Sequence, residues 1–407
     1  MRNVLIASYD MEVGGVERSL AGMLDEFDYN KYEIDLMLYR HKGDFMGLLS
    51  GKANLLGEIP QYASFRKSIS ETLNEKQLRI GASRVLAKAH SAVLGKVKGI
   101  EEMGYYQLQL MWKYALPFLP ECEKDYDVAI SYLWPHYFVA DKVRAGKKIA
   151  WIHTDYSTVV TNRQQDLKMW EKFDYIIAVS DACRDSFLES YVSLKDKVVV
   201  IENMISPELV RTLAKETVMD NPMDNDFRFK LLSVGRLCHQ KGFDQAIKAF
   251  KQLVDKGYND MVWYVVGYGD DEAMLRELIE ENKLENRFIL LGKQTNPYPY
   301  VSKCDLYVQP SRYEGKAVTV TEAKILGKPI VITNYPTAPS QVDHGIDGFI
   351  TDMSIDGIAA GIETLFHDIA LRERLSTNCI HSNYSNGNEM DKLYELITTG
   401  GRSSRWT

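Results

Sequence analysis

The sequence lacks three things that would direct it elsewhere. Its five cysteines, at 122, 183, 238, 304 and 379, include no CxxC pair. Odd in number and scattered, they suit reduced thiols in a cytosolic protein and exclude a disulfide framework or a zinc site. No stretch reaches the roughly 18 apolar residues needed to cross a bilayer. The opening MRNVLIASYD is too short an apolar run for a signal peptide and reads as a first strand. Nor is there an excess of positive charge: 49 Lys and Arg against 56 Asp and Glu leave a net −7, which argues against a nucleic-acid partner. The expectation is a cytoplasmic protein, at most peripheral on the inner face of the cell membrane.

What is present is ordinary globular material, 407 residues with 45% hydrophobic and 26% charged. That length exceeds what one core usually supports, so two domains are expected. Short apolar runs recur, each followed by a helix-like segment: VLIAS, EIDLMLY, DVAISYL, KKIAWIH, YIIAVS and KVVVIEN, then KLLSVGRL, MVWYVVGYG, RFILLG, CDLYVQPS and KPIVITN. Continuous apolar runs predict strands buried on both faces of a parallel sheet. The fold class is therefore α/β, with two doubly wound Rossmann-like domains at 1–205 and 229–385, a linker at 206–228, and a C-terminal helix and tail at 386–407 packing back on the first domain.

One segment breaks the rhythm. Residues 62–120 read as a helical insertion, and Phe65 to Lys98 holds eight Lys or Arg against two Glu. Leu, Val and Ile interleave with the cations. Two readings stay open: a basic amphipathic surface for an anionic membrane, or helices packed on their own domain with a solvated charged face.

Ligands of doubly wound sheets bind beyond the carboxyl ends of the strands. There GRLCHQKG places Arg236 and Lys241 at a strand end beside a helix N-terminus, a combination suited to a strongly anionic group such as a diphosphate. The alternative is a pair of solvated cations. In YEGKAVTVTEA, Gly315 allows a tight turn, and the amides of Lys316, Ala317 and Val318 would face the same anion. Glu322, further into the helix, suits the vicinal hydroxyls of a ribose, and Glu314 faces the other end of the ligand. The plainer reading is a surface glutamate and a helix-dipole glutamate. Gly14-Gly15 precede a helix in a loop suited to phosphate or sugar, and His153 ends a strand. Two Asp-x-Asp matches, at 125–127 and 224–226, lie away from strand carboxyl ends and are rejected as metal sites.

Together these residues resemble a family. GGVER, His153, AVSDACRDSF, VIEN, GRLCHQKG, VVGYGDDEAML, PSRYEGKAVTVTEA and GKPIVIT stand in the order and spacing of the retaining GT-B glycosyltransferases of family GT4, the glycosyl transferases group 1, of the bacterial surface-polysaccharide type. The resemblance implies two domains facing each other across a cleft, the first binding acceptor and the second the nucleotide-sugar donor. It implies that Arg236 and Lys241 bind the diphosphate, that Glu322 holds the ribose, and that Glu314 lies near the donor sugar. Gly315, Lys316, Ala317 and Val318 would contact phosphates or sugar, Gly14 and Gly15 would close over them, His153 would touch the transferring sugar, and Gly267 would border the nucleotide.

The implied activity moves a sugar from a nucleotide diphosphate, UDP favoured, to a glycan or lipid-linked acceptor. Configuration would be retained, with no cofactor and no divalent metal. Two departures stand out. Lys316-Ala317 replaces the family's usual Phe-Gly, and Glu202-Asn203-Met204 replaces Pro-Asn-Gly. Both leave the bound sugar open, and the Lys316-Ala317 change also leaves open an inactive nucleotide-sugar-binding partner subunit; a GT-B-fold epimerase is the remaining alternative.

Overall fold

Each continuous apolar run becomes a parallel strand covered on both faces. The computed structural model describes residues 1–49, 51–98, 103–384 and 387–399. The chain divides into two units. The first is Met1–Glu202 with the helix Gly387–Thr398, and the second begins at Asn203.

Among the described residues the first unit holds seven strands: β1 (Arg2–Ser8), β2 (Tyr32–Leu38), β3 (Asn54–Leu55), β4 (Tyr126–Ser131), β5 (Ala145–Ile152), β6 (Tyr175–Ala178) and β7 (Val198–Val200). They pair in parallel in the order β3-β2-β1-β4-β5-β6-β7. Strand order reverses between β1 and β4, where Val4 pairs with Val128.

The second unit holds β8 (Phe229–Val234), β9 (Met261–Val266), β10 (Phe288–Leu290), β11 (Leu306–Gln309), β12 (Ile330–Thr333) and β13 (Phe349–Thr351), all parallel, in the order β10-β9-β8-β11-β12-β13. Its order reverses between β8 and β11, where Leu231 pairs with Leu306. Alternation along β9 sends Trp263 and Val265 to one face, against Phe243, Ile247 and Phe250 of the helix Phe243–Asp255. Val262 and Tyr264 go to the other, against Val320 and Ala323. That is why MVWYVV is buried throughout.

Residues 206–228, expected to be a linker, lie in the second unit. Ser206 caps the helix Pro207–Leu213, whose Val210 packs with Tyr298, Val318 and Ile325. Met223 joins the core around Tyr264. The polar composition of this stretch hides two fully buried anchors.

The 62–120 insertion packs on its own unit through the helices Leu78–Lys98 and Gly104–Ala115. Trp112 stacks on Phe65 at 4.4 Å and donates Nε1–H to the Tyr9 hydroxyl at 3.1 Å. Three of its cations are used internally. Arg66 pairs with Asp10 at 2.5 Å, Lys67 with Glu75 at 2.7 Å, and buried Arg84 donates to Ser64 O and to Thr72 Oγ1 at 2.5 and 2.8 Å. Within this insertion 99–102 lie outside the described residues, as do 386 and 400–407 of the C-terminal segment.

The helix Gly387–Thr398 buries Met390, Leu393, Leu396 and Ile397. Tyr394 stacks on Tyr32 at 5.2 Å, and its hydroxyl accepts from the Asp28 amide at 2.7 Å. Lys147 and Arg2 donate to carbonyls of its last turn, Leu396 O and Ile397 O, where unpaired carbonyls and the negative end of the dipole favour cations.

Candidate functional site

Two loops meet at the strand-order reversal of the second unit. One, Gly235–Gly242, leaves β8; the other, Pro310–Ala317, leaves β11 and opens the helix Val318–Ile325. Arg312 fastens them. Its guanidinium donates to His239 O at 2.7 Å and to both Asp244 oxygens at 2.8 and 2.7 Å, and its amide donates to Gln240 O at 2.8 Å. Burial alone would raise the Asp244 pKa, but Arg312 holds it below the ordinary carboxylate range. Gly242 turns the chain with φ +68°, and a Cβ there would come within 2.1 Å of Pro310 O. Only glycine fits both conditions.

In this frame Lys241 Nζ lies 2.5 Å from Glu314 Oε1. The same oxygen accepts from Ser311 Oγ at 2.6 Å and Gln309 Nε2 at 3.2 Å, while Gln240 Nε2 reaches Oε2 at 3.4 Å. Glu314 is only 5% exposed, so it is not a surface glutamate. Lys241 is not a solvated cation either, its side chain being 15% exposed. Its ammonium has three N–H donors, and Glu314 fixes where they point. Arg236 stands exposed just beyond β8.

Glu322 is 2% exposed and accepts from the Tyr298 hydroxyl at 2.7 Å. It is the fifth residue of the helix Val318–Ile325. The helix entrance is held by Gln341, whose Oε1 accepts from the Ala317 amide at 3.3 Å and whose Nε2 donates to Ala317 O at 2.5 Å. Tyr335 donates to Gln341 Oε1 at 2.7 Å, and Asn203 Nδ2 donates to Lys316 O at 3.4 Å. The Ala317 amide, offered by sequence to an anion, thus has a side-chain partner. Gly315 and Val318 are buried, and Lys316 half-buried.

Gly267 has a packing reason of its own, since a Cβ there would sit 1.9 Å from Gly235 O. The loop after β9 runs against the loop after β8, with the Leu237 amide donating to Tyr268 O at 2.9 Å. Cys238 lies in this crossing, its thiol pKa pushed up by burial despite nearby Lys241 and Arg236.

In the first unit, Gly14 precedes the helix Gly15–Glu26 in extended conformation. His153 follows β5, and Tyr132 follows β4. The Tyr132 ring lies 4.7 Å from His153, and its hydroxyl is 2.8 Å from Ser19 Oγ in the helix that Gly15 begins. Gly14, Gly15 and His153 therefore share the carboxyl edge of this sheet. Among the described residues, no group of three or more His, Cys, Asp or Glu is placed to hold a metal ion.

Sequence reasoning missed Gln240, Gln309, Ser311, Arg312, Tyr298 and Gln341. Ser311 and Gln309 precede Glu314 by three and five residues, and a buried acid so close to a strand end needs nearby donors, which is a usable signal. Tyr298 and Gln341 carry none, for they meet Glu322 and Ala317 only through the fold.

Residues 215–381, which lie within the second unit, match the family described as Glycosyl transferases group 1. An uncharacterized glycosyltransferase of Methanocaldococcus jannaschii is 30% identical over 182 residues, 43% of this chain and 43% of its own. The capsular polysaccharide biosynthesis glycosyltransferase CapM of Staphylococcus aureus is 28% identical over 212 residues, 50% of this chain and 55% of its own. These matches span about half of each relative. Anabaena HepE, solved with UDP and glucose, superposes with TM-score 0.70 at 18% identity, covering 98% of this chain and 100% of that one. At that identity the likeness is one of fold: two parallel-sheet Rossmann-like domains of the GT-B kind.

Proposed function

We propose, from the match of residues 215–381 to the glycosyl transferases group 1 family, that the protein transfers a sugar from a nucleotide diphosphate sugar to a glycan or lipid-linked acceptor in surface-polysaccharide synthesis. The observation that carries this is the Lys241–Glu314 pair at the β8/β11 reversal, its carboxylate buried and its cation partly so, with buried Glu322 in the next helix. A carboxylate in that place repels phosphate but suits paired ribose hydroxyls. UDP is the favoured nucleotide; HepE, of the same fold, was solved with it.

As the glycosyl–phosphate bond ionises, positive charge grows on the sugar and negative charge on the departing diphosphate. Arg236 and Lys241 would stabilise the leaving group, helped by the dipole of the helix Val318–Ile325. Two protein cations suffice for this, and metal independence is part of the proposal. Retention of configuration is also part of it. The usual double-displacement scheme needs a carboxylate nucleophile across the sugar. Glu314 Oε1 is engaged by Lys241, Ser311 and Gln309, which suits an orienting anion better than an attacking one. On the first unit, the edge formed by Gly14, Gly15 and His153 suits a phosphate or sugar.

The test is turnover of UDP, GDP, TDP and ADP sugars by the purified chain, with and without EDTA, the product anomer being read by NMR. Chelator-insensitive release of UDP with an α-linked product from an α-linked donor is expected. Donor binding without turnover, under any acceptor tried, would favour an inactive partner subunit instead.

A further inference from the structure

We propose that the outward face of the helix Leu78–Lys98 is a docking surface for an anionic lipid membrane. This inference is independent of the transfer reaction above. The helix turns one face inward, burying Ile80, Ser83, Arg84, Ala87 and Ser91. That inward face is mixed, whereas the opposite face carries an apolar stripe, with Leu78, Val85, Leu86 and Val93 exposed by 64%, 51%, 53% and 61%. At 3.6 residues per turn these four fall within an arc of about 100° and run about 22 Å along the axis. Single exposed apolar side chains are unremarkable, but a continuous stripe rimmed by polar groups marks an interaction surface.

The rim is cationic. Arg79 borders the stripe on one side and Lys88 on the other, both exposed, and exposed Lys96 follows within the arc of the stripe, one turn past Val93 toward the helix C-terminus. The helix contains no Asp or Glu, in a chain whose net charge is −7. An apolar strip edged by cations matches a bilayer surface, where side chains enter the acyl boundary and cations meet anionic headgroups. A second copy of this chain is the poorer occupant, because two such helices face to face would bring like charges together. The helix would lie in the plane of the membrane, since among the described residues none is long and apolar enough to cross it.

The test is flotation of the full chain with vesicles of phosphatidylcholine plus phosphatidylglycerol, or of phosphatidylcholine alone. The variants are Leu86→Glu/Val93→Glu and Arg79→Glu/Lys88→Glu, with melting curves to establish that both remain folded. The wild type is expected to float with the anionic vesicles at low salt and poorly with phosphatidylcholine alone. It should be released near 1 M salt, where the screening length is about 3 Å. Each double variant should partition at least about tenfold more weakly. The proposal is overturned by a wild type that does not float, or by variants that float equally well. A wild-type dimer in ultracentrifugation that Leu86→Glu/Val93→Glu dissolves would also overturn it, placing a second copy on the stripe.

Discussion

Lys241 has two tasks in this account, neutralising Glu314 and facing a diphosphate, and paired substitutions separate them. Lys241→Met keeps most of the stem but leaves Glu314, 5% exposed, without its cation. Breaking a buried ion pair from one side typically costs about 3–5 kcal/mol. Ser311, Gln309 and Gln240 still donate to the carboxylate, so the low end, about 3 kcal/mol, applies. For a unit of this size about 1 kcal/mol shifts Tm by roughly 2–4 °C, so a fall of roughly 6–12 °C is expected in the transition of the second unit. Adding Glu314→Gln removes the stranded charge and should restore stability to within about 1 kcal/mol. Turnover should not return. The leaving group has lost a cation in both variants, a loss of about a hundredfold or more by analogy with other charge-stabilising donors. Differential scanning calorimetry and single-turnover assays read the two effects separately. A single variant that melts like wild type, or a double variant that turns over like wild type, would refute the reasoning.

Other residues give sharper, smaller effects. Tyr298→Phe removes a hydroxyl that donates to Glu322 and should weaken UDP binding about tenfold, since a hydrogen bond to a charged group is worth about 1.5–3 kcal/mol; equal affinity by titration would count against Tyr298 orienting Glu322 for the ribose. Asp244, held below the usual carboxylate range by Arg312, contributes stability that is complete above its unfolded pKa and lost as pH falls through its folded one. Acid unfolding monitored below about pH 4 should therefore be flatter in Asp244→Asn, and an unchanged profile would count against the clamp. Gly242→Ala must place a Cβ 2.1 Å from Pro310 O at φ +68°, so a lower Tm and weaker UDP binding are expected together, by melting and titration.

Much of the fold was legible because its strands are buried on both faces and so appear as uninterrupted apolar runs. The strands that escaped notice are the sheet edges, Asn54–Leu55 and Phe349–Thr351, two and three residues long and partly or wholly exposed. The stretch 206–228 misled because its anchors, Val210 and Met223, are isolated in polar sequence. In the site, Lys241 and Glu314 were visible as charges beyond strand ends and Glu322 as a charge in the helix that follows, whereas their partners were not. Tyr298 stands 24 residues from Glu322, and Gln341 the same distance from Ala317. Only the packing of helices against the sheet brings them together. The helix Leu78–Lys98 is a similar case. Its buried face carries Ser83, Arg84 and Ser91 while Leu78, Val85, Leu86 and Val93 are exposed, the reverse of the usual pattern, so periodicity could not say which face meets the protein and which the solvent.

The most direct measurement is calorimetric titration of UDP into the full chain and into Arg236→Ala and Glu322→Ala, with EDTA present throughout. The expected result is binding to wild type that ignores the chelator and weakens at least about tenfold in either variant, as loss of a charged contact worth about 1.5–3 kcal/mol requires. No binding of UDP, binding that needs a divalent cation, or variants that bind as tightly as wild type would contradict the assignment of this site.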